Sequence, residues 1–318
     1  MSKNTEIDEF YDLADQHMRE GRYDDAISLY RKLAELNPED DSIVMSLACA
    51  CRDSGKLSDA VLCLERLLEK ELKRKTFTGF AFDELVKIYR NEGHHERLVA
   101  ICEAAVAVQP DDVSLLTTLG SSYLEAGKPD RAVEIFKMLT EMEPDAPSFF
   151  CSLGNAHVAA GDFEKAENAC NSAVSIEPSD AHKFYSELGI AFFQAEQYER
   201  SETTLKRSLD CRPDQPLVHC ALGDVFIKQG KPDDANLSYE KAARLDPVSG
   251  GGYYNRLGNM LAGEHNHKMA IEAFEKAVSV DPHNPFYYLS LVKSCEIEGL
   301  HDKARKAYKK AKSLGVFS

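Results

Sequence analysis

Residues 147–180 read PSFFCSLGNAHVAAGDFEKAENACNSAVSIEPSD. Phe150, Leu153, Gly154 and His157 recur at helical spacing in the first half, and Ala166, Cys170 and Ala173 do so in the second. Ala160-Gly161-Asp162 separates the halves, where Gly161 suits the left-handed residue that ends one helix before another begins. Pro178 follows the second helix, which it cannot continue. Gly154 and Ala166 are small, as expected where two helices of a hairpin approach closely. The pattern returns thirty-four residues upstream and downstream, and a period of this size means an α-helical solenoid.

Working outward, nine repeats follow: 7–40, 41–74, 79–112, 113–146, 147–180, 182–215, 216–249, 251–284 and 285–318. The closing proline is Pro38, Pro110, Pro144, Pro178, Pro213, Pro247 and Pro282, absent from the second and ninth repeats. The interhelix glycine is Gly21, Gly55, Gly93, Gly127, Gly161, Gly230 and Gly299, with Glu196 and His265 as exceptions. The small residue of the second helix is Ala26, Ala60, Ala132, Ala166, Ser201, Ala235, Ala270 and Ala304; the third repeat has Leu98 instead. The repeats form one array over 1–318, interrupted in register by Lys75-Thr76-Phe77-Thr78.

Leu153, Gly154, His157, Ala166 and Pro178, in that order and at that period, resemble the tetratricopeptide repeat (TPR) family. The resemblance implies an all-α, right-handed superhelical solenoid of nine helix-turn-helix units, about one turn long. It implies that first helices line a concave groove for a peptide, through positions 2, 5, 9, 12 and 13 of a repeat. Carried onto this chain, those positions give Ser114, Thr117 and Ser121 in the fourth repeat and Ser148, Cys151 and Asn155 in the fifth. They give Ser186 in the sixth, Leu217, Cys220, Asp224 and Ile227 in the seventh, and Asn255 and Asn259 in the eighth. Asn155 and Asn259 fit backbone recognition best, since an amide both donates and accepts. The carboxylate clamp of chaperone-binding members needs a Lys/Asn, Asn, Lys/Arg order that no three successive repeats supply.

The irregular stretch is 65–99. ERLLEKELKRK reads as helix beyond the usual stopping point, and Val86 and Leu98 replace small residues, so the third hairpin should splay. Two readings stay open: a repeat that has drifted from the pattern, or a bend of the array at 73–79. Ser249-Gly250-Gly251-Gly252 should allow a small change in stacking angle between the seventh and eighth repeats, or simply lengthen the loop there.

A net charge of −15 argues against phosphate binding, which needs basic stripes, so no nucleic-acid partner is expected. No stretch approaches the ~18 apolar residues of a membrane span, and the N-terminus lacks an apolar signal core; a soluble, cytoplasmic chain without membrane insertion is expected. Cys51, Cys102, Cys170 and Cys295 fall at core positions, and the spacing of Cys49 and Cys51 is wrong for a zinc or redox pair. His94-His95 and His265-Asn266-His267 lie on turns, with no metal expected. Asp24-Asp25, Asp111-Asp112 and Asp233-Asp234 stand at helix starts, where carboxylates act as caps and dipole partners. No nucleotide, serine-hydrolase or metalloprotease motif occurs, so neither catalysis nor a cofactor is expected.

The expected function is that of a non-catalytic adaptor binding a protein or peptide partner in its groove. Alternatives are a substrate-presenting subunit of a separate enzyme, or a homo-oligomer joined head to tail. The last idea comes from the ends: residues 1–40 carry eleven acids against five bases, and 301–318 six bases against one acid.

Overall fold

The computed structural model describes residues 3–75 and 77–315. It is built of eighteen α-helices, with no strand among the described residues. They run α1 (Lys3–Arg19), α2 (Tyr23–Leu36), α3 (Asp41–Asp53), α4 (Leu57–Arg74), α5 (Phe80–Asn91) and α6 (His95–Val108). Next come α7 (Val113–Glu125), α8 (Pro129–Met142), α9 (Pro147–Ala160), α10 (Phe163–Ile176), α11 (Ala181–Gln194) and α12 (Tyr198–Cys211). The chain ends with α13 (Pro216–Lys228), α14 (Pro232–Leu245), α15 (Gly250–Gly263), α16 (His267–Val280), α17 (Pro285–Ile297) and α18 (His301–Ser313). Two helices therefore stand in each expected repeat, packed as a hairpin. The chain divides into two compact bodies, Met1–Leu139 and Thr140–Ser318.

The turns explain the glycines. Gly161 ends α9 at φ +82°, and its N–H donates to Val158 O (3.0 Å) while that of Asp162 reaches His157 O (2.8 Å). This is the Schellman closure, which satisfies carbonyls that the helix end leaves without partners. All seven interhelix glycines lie between φ +68° and +82°. Glu196 and His265, the two exceptions in sequence, take the same left-handed conformation at φ +59° and +61°. Their bonds match: Gln197 N–H to Phe192 O at 2.8 Å, Asn266 N–H to Leu261 O at 2.9 Å.

Inside each hairpin, Ala26, Ala60, Ala132, Ala166, Ala235 and Ala270 are fully buried. Ser201 fills the same place because its hydroxyl donates to Gly189 O (2.7 Å). With Leu98 there instead, α5 and α6 pack less closely than α3 and α4, as the sequence implies. Asp112 caps α7, its carboxylate accepting from Leu115 N–H (2.9 Å), and Asp24-Asp25 and Asp233-Asp234 sit in the first turns of α2 and α14.

Two irregular stretches have physical accounts. Without a closing proline, α4 runs on to Arg74, which bonds Asp41 (2.9 Å) and Glu39 (2.6 Å), and ends at Lys75 in the left-handed region. Glu71 is buried and accepts the hydroxyl of Thr78, which ties the connection back to the helix; Thr76 lies outside the described residues. The glycine run at 250–252 is no lengthened loop: it forms the first turn of α15. A Cβ at Gly251 would stand 2.9 Å from the Tyr287 ring, so close packing against α17 explains that residue.

Candidate first-helix binding face

In the second body the first helices are α9, α11, α13, α15 and α17. Their second positions are Ser148, Lys183, Leu217, Gly252 and Phe286, and all five are exposed. Leu217 and Phe286 are each 66% exposed, with Gly252 between them in the same register. Phe286 was not among the residues singled out from the sequence, although the repeat register places it there. The ninth positions are Asn155, Ile190, Asp224, Asn259 and Lys293. Ile190 (43%), Asn259 and Lys293 are exposed, whereas Asn155 is half-buried.

The fifth and twelfth positions face inward more than the resemblance implies. Cys220 is fully buried, Val158 and Ile227 nearly so, and Cys151, Ser186 and Asn255 are half-buried. Ser186 donates its hydroxyl to Lys183 O (2.8 Å). The second positions, joined by Ile190, Asn259 and Lys293 of the ninth, therefore form the outer row. Ser114, Thr117 and Ser121 belong to the first body. Ser114 is exposed, Ser121 half-buried, and the Thr117 hydroxyl is turned onto Val113 O (2.6 Å).

Neighbouring first helices are joined by polar rungs from the ninth position of one to the sixth of the next. Asn155 Nδ2 donates to Glu187 Oε1 (2.8 Å), so one side of this amide is already engaged. Cys151, Asn155 and Glu187 also line a cavity of about 10 Å³, room for a single water. Asp224 is only 3% exposed: Arg256 pairs with it, and the Tyr239 hydroxyl donates to it. It is thus a buried brace within the seventh and eighth repeats and offers no free carboxylate to a ligand. Burial pushes the Asp224 carboxyl above its usual range against the pull of Tyr239 and Arg256, and burial likewise raises the Tyr239 hydroxyl. Tyr30 donating to Asp15 (2.5 Å) is the same device in the first repeat. An Asp at position 9 with a Tyr at position 24 was the sequence signal for both.

Five of the cysteines are quiet. Burial pushes the Cys151, Cys170 and Cys220 thiols up to about 12 and those of Cys51 and Cys102 up to about 11, so all stay protonated and poorly nucleophilic near neutrality. Among the described residues no group of three or more His, Cys, Asp or Glu side chains could hold a metal ion, and no helix is long and apolar enough to cross a membrane.

Stacked helical hairpins with an exposed row along their first helices define a repeat scaffold of the protein-binding kind. The family follows: a tetratricopeptide-repeat model matches residues 117–181, 151–216 and 220–285, more than half of the chain, and a second one matches 17–75. The chain belongs to the tetratricopeptide repeat family. It is 26% identical over 270 residues to BBSome complex member BBS4 of Bos taurus, covering 85% of this chain and 51% of that one. It is 28% identical over 102 residues to small glutamine-rich tetratricopeptide repeat-containing protein 2 of Mycosarcoma maydis, covering 32% and 29%. It thus spans about half or less of the length of these curated relatives. Among solved structures, a MamA crystal structure matches at 24% identity with a TM-score of 0.41, covering 53% of this chain and 91% of that one.

Proposed function

We propose that this chain is a non-catalytic adaptor that holds an extended segment of a protein partner along the first helices of its second body. The observation that carries this reading is the exposed row at the second position. Leu217 and Phe286 keep two-thirds of their surface in water, a cost that contact with an apolar partner side chain would remove. Gly252 between them leaves room for such a side chain. Asn259, exposed on the same helix as Gly252, is placed to pair with the backbone of the segment. Nine free cysteines, five of them buried, suit a reducing compartment, so we place the protein in the cytoplasm.

The test is to identify a partner by affinity capture and mass spectrometry, then titrate its binding segment into the purified full chain. Leu217→Asp with Phe286→Asp should weaken binding at least tenfold without moving Tm, and Asn259→Ala should weaken it less. Equal affinity of the double variant and the parent would overturn the proposal.

A further inference from the structure

Leu13, on α1, occupies the seventh position of the first repeat. Leucine recurs there as Leu47, Leu85, Leu119, Leu188, Leu222, Leu257 and Leu291, each no more than 8% exposed, and as the half-buried Leu153. The second helix α16 packs against the next first helix, α17, and Phe274 and Leu291 belong to the one apolar core these helices share. Leu13 itself is 41% exposed. Asp8, Glu9 and Asp12 stand exposed beside it on the same helix.

The mirror situation holds on α18. Position 24 of a repeat is Tyr30, Leu64, Cys102, Phe136, Cys170, Leu205, Tyr239 or Phe274, none more than 3% exposed, but Tyr308 is 45% exposed. The residues around it are cationic and exposed: Arg305, Lys309 and Lys312. Position 28, apolar in most repeats, as in Val278, is Lys312 here. Each of these helices thus keeps an apolar residue of the stacking face and rims it with one sign of charge, acidic on α1 and basic on α18.

We propose that the α18 face of one molecule docks onto the α1 face of a second copy, in the register by which a second helix packs against the next first helix. Leu13 and Tyr308 then share one apolar contact, and the Asp8, Glu9, Asp12 rim meets the Arg305, Lys309, Lys312 rim. Complementary charge and equivalent register select a second copy over an unrelated partner. Opposite rims also oppose pairing of like ends, since acidic against acidic and basic against basic are repulsive.

Sedimentation velocity of the full chain over a concentration series tests this. The parent should self-associate at low salt and lose at least tenfold in association constant between 50 and 500 mM salt, as roughly 10 Å screening lengths shorten. One variant carries Arg305→Glu, Lys309→Glu and Lys312→Glu; another carries Asp8→Lys, Glu9→Lys and Asp12→Lys. Each alone should be monomeric, and mixing the two should restore association, because the reversed faces complement each other. A parent that stays monomeric at every concentration, or variants that associate as the parent does, or a mixture that stays monomeric, would each overturn the proposal.

Discussion

Gly258 has a reason that Gly154 lacks. A Cβ on Gly258 would fall 2.4 Å from the Phe274 ring, and one on Gly223 2.6 Å from that of Tyr239, so these helices touch through glycine. At Gly154 the facing residue at position 24 is Cys170, and a Cβ would meet Ala166 O at 3.4 Å and Ala169 Cβ at 3.9 Å, ordinary contacts. Gly258→Ala should therefore lower stability by about 1–3 kcal/mol for overpacking. Gly154→Ala should be neutral or stabilising by up to about 1 kcal/mol through helix propensity. Chemical denaturation of both variants checks the contrast. Glu196 and His265 carry the left-handed strain that glycine avoids elsewhere, and Glu196→Gly should gain roughly 0.5–1 kcal/mol. The sequence made the close approach at position 8 legible. That its tightness depends on position 24 was hidden, because those two residues are joined across the turn and not along a helix. Asn155 shows the same limit: its place in the row could be read, its bond to Glu187 of the next repeat could not.

Elements carry the pH dependence and the integrity of the array. His157 in α9 and His219 in α13 are buried, and desolvation holds both below the usual histidine range despite the bond from His219 to Pro213 O (3.0 Å). The unfolded chain takes up these protons first, as pH falls through about 6.5, so the stability they contribute is full above that pH and lost below it. Tm should therefore fall between pH 7.5 and 5.5, and His157→Gln with His219→Gln should flatten that slope. In the connection from α4 to α5, Glu71→Ala would leave Thr78 untied and should speed tryptic cleavage at Lys73 to Lys75 in limited proteolysis. We retain a bend at 73–79 as a proposal, for which that cleavage pattern is the probe. The glycine run at 250–252 misled the reading of the sequence because glycine is ambiguous there. Conformational freedom and close packing call for the same residue, and only the Tyr287 ring decides between them.

At the scale of the whole molecule, the period of thirty-four residues made the helical hairpins and their number legible, since one turn and one closing signal repeat in register along nearly all the chain. The binding face was less so. The resemblance supplied positions 2, 5, 9, 12 and 13, but burial separates them: Cys220, Asp224 and Ile227 turn inward, while Leu217 and Phe286 stand out. Which of several lining positions reaches solvent depends on the stacking of neighbouring repeats, and a single hairpin does not encode it. The account's central claim is that a partner lies on the first helices of the second body. Site-specific photo-crosslinking tests it most directly, with a photoreactive amino acid placed at 217, at 286, or at 237, where Leu237 is 54% exposed on the second helix α14. We predict crosslinks to the captured partner from 217 and 286 and none from 237; crosslinks from 237 alone would contradict the account.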